Sequence, residues 1–346
     1  MTYFSSMQSR DRSSLALLMP GAASGLVAAV AAGFRSRETG SDTWYYSDYF
    51  VDALVCHCTD GRFEPGFQLL VRIATLLGDQ PSTLLVLVCC VLWCLALLIA
   101  RETSRAVTGP EMSRVHVWAL VFAAIFASPF YVSANVNALR HGIAALLLAL
   151  GALKAAQRQW RGALVCGLLA VCFHYSSILY LPALAVPLLP VAVVYSVTAV
   201  LMLVYSLGLS EPLVTWISSV TNIPIAEIVT SYSPGAEYSS GVRLDFVAFS
   251  LGLFAVCYFG RAARRDLTAY TVLCRMYLVL LWPFLVLGFG NFANRYAFAA
   301  WMFVSVLLGV RAAAWASVRI DARATIGAML VASAVFVVAA FNGIAL

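Results

Sequence analysis

Long unbroken apolar runs dominate this chain. They lack the polar stripe that a helix on the surface of a soluble protein carries. "STLLVLVCCVLWCLALLIA" (82–100), "VHVWALVFAAIFASPFYV" (115–132) and "ATIGAMLVASAVFVVAAFNGIAL" (324–346) are the clearest. Each is close to the ~20 residues that carry a helix across a bilayer core. The runs and their breaks predict spans near 14–33, 82–101, 115–133, 139–155, 162–175, 177–189, 191–209, 246–260, 268–289, 295–312 and 324–344. The expected fold class is an all-α polytopic membrane protein of about eleven transmembrane helices, forming one integral membrane domain over 1–346. The run 14–33 follows Arg10 and Arg12 and ends "AAVAAGF", which resembles a cleavable leader. It is read as a retained first span. Pro182, Pro187 and Pro190 interrupt 177–209, so 177–189 is either a short broken span or a re-entrant segment.

A different pattern falls between the first two runs. In "FEPGFQLLVRIATLLGD" (63–79), Phe67, Leu70, Val71, Ala74 and Leu77 share one helical face, and Gln68, Arg72 and Thr75 share another. Pro65 suits a first helical turn. The pattern predicts an amphipathic helix, lying on the outer membrane surface or packing as a lid on the bundle.

Composition agrees with the pattern. The 346 residues are 62% hydrophobic and 11% charged, with mean hydropathy +0.89, against about a quarter charged in soluble domains. The net charge is +6, but its distribution says more. Loops rich in Arg and Lys stay in the cytoplasm. The segments 101–114, 154–161, 261–266 and 311–323 are basic and are expected inside, with the N-terminus. The first loop, 34–81, and the second, 211–245, carry more acid than base and are expected outside, as is the C-terminus. No basic run suits nucleic acid. Most of the nine cysteines lie in apolar runs. Cys56 and Cys58 flank His57 as "CHC", too small a cluster to supply a metal site by itself.

This threading gathers polar residues at one depth. His174, in "FHYSS" (173–177), ends the fifth span on the outer side. Arg140, in "NVNALRHG" (135–142), and Arg295, in "NFANRYAF" (291–298), begin the fourth and tenth spans there. Glu64 begins the amphipathic helix. Either arginine alone suits a lipid headgroup contact, and a lone histidine suits a core role. Together they offer more. Two guanidiniums make a fork for a diphosphate. The amides of Asn135, Asn137, Asn291 and Asn294 suit sugar hydroxyls. A neutral imidazole accepts a proton from an attacking hydroxyl near neutral pH. Arg275 lies two turns into the ninth span and either snorkels inward or pairs inside the bundle.

The stretch "NALRHGIAALLLALGALKAAQRQWRGALVCGLLAVCFHYSSILYLPAL" (137–184) resembles the core of EpsG-family proteins, Wzy-like polymerases of bacterial polysaccharides. Arg140, Gly142 and FHYSS carry the likeness, with Glu64–Phe67 ("EPGF") and Asn294–Tyr296 ("NRY"). His141 stands where that family usually has Gln, which leaves open which histidine matters more. The resemblance implies a glycosyltransferase with a GT-C-like fold in the bacterial inner membrane. It would use an undecaprenyl-diphosphate-linked glycan as donor and a lipid-linked repeat unit as acceptor, at the outer face. Arg140 and Arg295 would bind the diphosphate, and His174, Glu64 or His141 would serve as base. Tyr175, Asp42 and Tyr46 join the asparagines as candidate sugar contacts. Trp44, Tyr45, Tyr46, Tyr49, Tyr232 and Tyr238 either stack on sugars or form an interfacial belt. No Asp-x-Asp pair marks a metal, so no cofactor is expected. Membrane lipids are expected partners, and a chain-length regulator protein is a further candidate. The rival readings are a flippase of lipid-linked oligosaccharide and an O-antigen-ligase-like transferase. Whether the polymer is O-antigen, capsule or exopolysaccharide is left open.

Overall fold

The apolar runs fold as helices, and no strand occurs among the described residues. The computed structural model describes residues 18–57, 61–107, 113–231, 241–259, 268–316 and 321–343. In chain order the helices are α1 (Met19–Gly33), α2 (Thr43–Cys56), α3 (Pro65–Leu77), α4 (Pro81–Val107), α5 (Arg114–Phe126), α6 (Pro129–Val136), α7 (Leu139–Ala156) and α8 (Trp160–Phe173). A 3-10 stretch (Tyr175–Leu188) follows. Then come α9 (Val191–Ser206), α10 (Ser210–Thr221), α11 (Ile225–Ser231), α12 (Leu244–Phe259), α13 (Thr268–Leu280), α14 (Trp282–Leu287), α15 (Ala293–Ala316) and α16 (Ala322–Phe341). Residues 14–17, Cys58, Tyr232, Tyr238 and the basic stretch 261–266 lie outside the described residues.

Helix occupies every predicted span, but not every one is long enough to cross alone. Five are long and apolar enough: Pro81–Val107, Leu139–Ala156, Ala269–Leu287, Ala293–Ala316 and Arg323–Phe341. Two bent pairs raise this to seven, α5 with α6 at 58° and α9 with α10 at 100°. The expected fifth span, 162–175, differs most. Helix α8 stops at Phe173, and its 14 residues rise only about 21 Å against a core of about 30 Å. The reason is His174, whose backbone is extended (φ −158°, ψ 111°). The next 14 residues wind as a 3-10 helix with Pro182 and Pro187 inside it. Proline clashes with the carbonyl four residues back in α-helical winding. The prolines therefore change the winding of 177–189 instead of breaking the segment. At about 2 Å per residue the 3-10 stretch is about 28 Å long.

Helix α7 is the innermost of the long ones, with 83% of it buried, and α15 follows with 78%. An all-round apolar sequence suits that position. Charge marks both ends of α7. At its last turn Lys154 pairs with buried Glu102 (Nζ–Oε2 2.9 Å), and Arg105 holds the other carboxylate oxygen at 2.7 Å. The two basic segments predicted to share one side thus meet there. At the first turn of α7, Arg140 begins the second cluster, about 21 Å away along the helix.

Helix α3 docks on α4 and α8 through Phe67, Leu70, Val71 and Ala74, four of the five residues assigned to its apolar face. Leu77 is exposed instead, at the helix end. Leu69, Ile73 and Leu76 form a second apolar stripe that stays open. Cys56 is disulfide-bonded, which occupies the sulfur considered for a metal. Arg275 donates from Nη1 to the carbonyl of Leu189 at 3.3 Å, inside the bundle.

Candidate functional site

Glu64 is the N-cap of α3, in extended conformation, with Pro65 opening the first turn. Its position depends on Gly66. A Cβ built there would lie 2.9 Å from the carbonyl oxygen of Cys172, in the last turn of α8. Only glycine lets the two helix ends approach this closely. The approach brings Glu64 to the residue where α8 stops. Glu64 Oε1 lies 3.1 Å from His174 Nδ1 and accepts from the backbone N–H of Tyr175 at 3.3 Å. Its other oxygen, Oε2, accepts from Arg140 Nη1.

One buried carboxylate thus joins α3, α7 and the α8 terminus, 76 and 110 residues apart from its partners in sequence. Burial pushes the Glu64 carboxyl up. The His174 hydrogen bond and the Arg140 charge outweigh that and hold it down at about 2. Glu64 is therefore a carboxylate at neutral pH. A carboxylate at Nδ1 favours a proton on that nitrogen and leaves Nε2 as the acceptor.

Aromatic rings support the cluster. The Arg140 guanidinium lies 4.5 Å from the centroid of Phe63 and 6.0 Å from that of Tyr46, within cation–π reach. Burial pushes the Tyr46 phenol up, against the pull of Arg140. His141 stacks beside His174 with ring centroids 4.7 Å apart, and Phe298 of α15 packs on it at the same distance. His141 is buried, and its Nε2 has no hydrogen-bond partner.

Arg295 approaches from α15. Its Nη2 lies 4.0 Å from Asp42 Oδ2, and its side chain is 41% exposed. Tyr180, on the 3-10 stretch, donates to the carbonyls of Arg295 and Tyr296 at 3.3 and 3.0 Å, fixing the first turn of α15. Asp42 is held by the strap between α1 and α2. The Ser41 N–H donates to Asn137 Oδ1 at 2.8 Å, and Thr43 Oγ1 donates to the Val136 carbonyl at 2.7 Å. Gly40, at φ +90°, makes the turn, and a Cβ there would sit 2.4 Å from Asn137 Oδ1. Buried Arg35 donates to Thr43 Oγ1 and to the Ala32 carbonyl from behind.

Glu64, His174, Arg140, His141 and Tyr46 therefore converge, with Arg295 and Asp42 beside them. Other candidates stand differently. Asn135 is fully buried, and its amide donates to the carbonyl of Tyr131 on its own helix. Asn137 secures the strap. Asn291 and Asn294 flank Arg295 and are half-buried. The Tyr175 ring is 60% exposed, while its backbone N–H binds Glu64. Sequence reasoning missed Phe63, Phe298 and Tyr180. Phe63 adjoins Glu64 in the quoted motif, but Phe298 and Tyr180 carry no signal among so many apolar residues. Among the described residues, no group of three His, Cys, Asp or Glu could hold a metal ion.

No curated protein and no solved structure matches the chain. The sequence model of the EpsG family matches residues 21–343, which takes in every residue of this cluster. The match covers nearly the whole chain, and by it the protein belongs to the EpsG family, a family of Wzy-like polymerases.

Proposed function

We propose that this protein is a polysaccharide polymerase that joins lipid-diphosphate-linked repeat units at the outer face of the bacterial inner membrane. In this reading the chain crosses the membrane about eleven times in a GT-C-like arrangement, N-terminus inside and C-terminus outside. The donor is a glycan on undecaprenyl diphosphate, and the acceptor is a second lipid-linked unit. The observation that carries the reading is Glu64 bridging His174 and Arg140, with Arg295 nearby.

The acceptor hydroxyl attacks the anomeric carbon of the donor. Its O–H proton goes to His174 Nε2, and the bond from the anomeric carbon to the diphosphate oxygen breaks. A new glycosidic bond forms, and undecaprenyl diphosphate leaves. Glu64 fixes the imidazole and balances the imidazolium that forms. Arg295, more exposed than Arg140, meets the charge growing on the leaving diphosphate. Arg140 joins it when the diphosphate competes with Glu64 for its guanidinium. The displacement is single, so the anomeric centre inverts, and the charge stabilisation comes from arginine without a metal.

The test is reconstitution in proteoliposomes with lipid-linked repeat units. Polymer growth with inverted linkages and release of lipid diphosphate is expected. His174→Ala should bind donor yet polymerise at least ~100-fold slower, the scale of general-base catalysis. Transfer of units across the bilayer without joining would make the protein a flippase. Turnover of His174→Ala within a few-fold of wild type would make His174 a scaffold residue.

A further inference from the structure

Helix α2 has two unlike faces. Its inner face buries Tyr46, Tyr49, Phe50 and Ala53, and Asp42 at its start reaches Arg295. The opposite face carries Trp44, Asp48 and Asp52, spaced four apart and therefore stacked along one side of the helix. Trp44 is 53% exposed, and Tyr45 stands edge-on to it with centroids 5.9 Å apart. Together with Val51 and Arg62 these residues line an open cleft of about 400 Å³, within the range of small-molecule sites. Arg62 holds Asp52 at 2.6 Å, and Arg37 stands 3.8 Å from Asp48.

The geometry points to a glycan-holding subsite on this face, distinct from the Glu64–His174 cluster and taking pyranose units of the growing chain. The indole and phenol faces offer the flat apolar surface that sugar C–H faces stack on. Asp48 and Asp52 accept from sugar hydroxyls, and Arg62 donates to them. Both ion pairs are solvent-exposed and so contribute little stability. They orient the carboxylates yet yield to a ligand. The same carboxylates decide against a place for Trp44 in the hydrocarbon core, where two aspartates beside it would be costly. The proposal rests on the polymerase reading for the identity of the ligand. Its consequence is retention of the product: a chain held here stays near the site for the next addition.

The experiment uses the full-length protein in detergent and in nanodiscs. Saturation-transfer NMR is run with short oligosaccharides released by partial acid hydrolysis of the producing cell's surface polysaccharide. Transfer to sugar protons is expected for wild type. A loss of at least ~10-fold in affinity is expected for Trp44→Ala and for the Asp48→Asn/Asp52→Asn double variant, with Trp44→Phe close to wild type. In the polymerisation assay, Trp44→Ala should yield a shorter product distribution than wild type. Equal saturation transfer in wild type and Trp44→Ala, or none in either, overturns the subsite even if wild type polymerises. Saturation transfer that depends on Trp44, from a protein that does not polymerise, sustains the subsite and removes the polymerase reading instead. Quenching of Trp44 fluorescence by brominated lipid, read against Trp44→Phe, places the ring in the bilayer and also overturns the subsite.

Discussion

At the scale of single residues, the decisive feature is that Glu64 is buried and ionised at once. Burial alone would favour the neutral acid. The His174 and Arg140 contacts reverse that and hold the carboxyl near 2, against an ordinary 4.5. A lowered carboxyl pKa means that the folded protein binds fewer protons than the unfolded chain between these values. Stability from this group is thus complete above about 4.5 and is lost as pH falls toward 2. The thermal unfolding midpoint in detergent should fall less steeply with acid in Glu64→Gln than in wild type across that window. Parallel slopes would show that the carboxylate is not held by these partners. The residues of this cluster were legible in the sequence, because charge at the end of an apolar run is rare enough to count. Their pairing was not legible. Nothing in the composition says that Glu64 pairs with Arg140, since partners 76 residues apart meet only through the packing of α3 on α8. Asn137 shows the converse. Its amide suits a sugar hydroxyl by chemistry, yet the strap takes its oxygen.

At the scale of elements, the site depends on two helix ends meeting, α3 at its start and α8 at its stop. The amphipathic period gave α3 to within two residues at each end, because periodicity is a local signal. The stop of α8 was placed only roughly, and the 3-10 winding after it was not foreseen. Both depend on how His174 and two prolines settle among their neighbours. The contact itself makes a sharp prediction. In Gly66→Ala the new methyl would press on a backbone carbonyl, which cannot rotate away as a side chain can. Helix α3 should shift off α8 and draw Glu64 from His174. Displacements of about 1 Å cost up to ~100-fold in catalysis, so polymerisation should fall by ~10- to 100-fold. Detergent-solubilised Gly66→Ala should still elute as a folded monodisperse species and still bind donor. Wild-type turnover in this variant would mean that the helix ends do not set the site.

At the scale of the whole molecule, charge is divided between the two ends of α7. One end holds Glu102 with Lys154 and Arg105, and the other holds Glu64 with Arg140 and His174. The helix between them rises about 21 Å from Arg140 to Lys154. That is less than a hydrocarbon core of about 30 Å. In the proposed topology the two clusters lie toward opposite faces of the core. The segments 101–107 and 154–161 lie at the first end, and in the proposed reading that end faces the cytoplasm, as loops rich in Arg and Lys do. In that reading the end with Glu64 faces out, where the proposed lipid-linked substrates would be joined. Cysteine labelling tests this in whole cells, with exposed Cys94 and Cys172 first replaced by Ser. Gln80, beyond α3, and Gln159, between α7 and α8, are both exposed. A membrane-impermeant maleimide should label Gln80→Cys in intact cells with a permeable outer envelope. It should label Gln159→Cys only after the inner membrane is broken. The reverse pattern would put the Glu64–His174 cluster on the cytoplasmic side, where a polymerase that uses flipped substrates would have nothing to join.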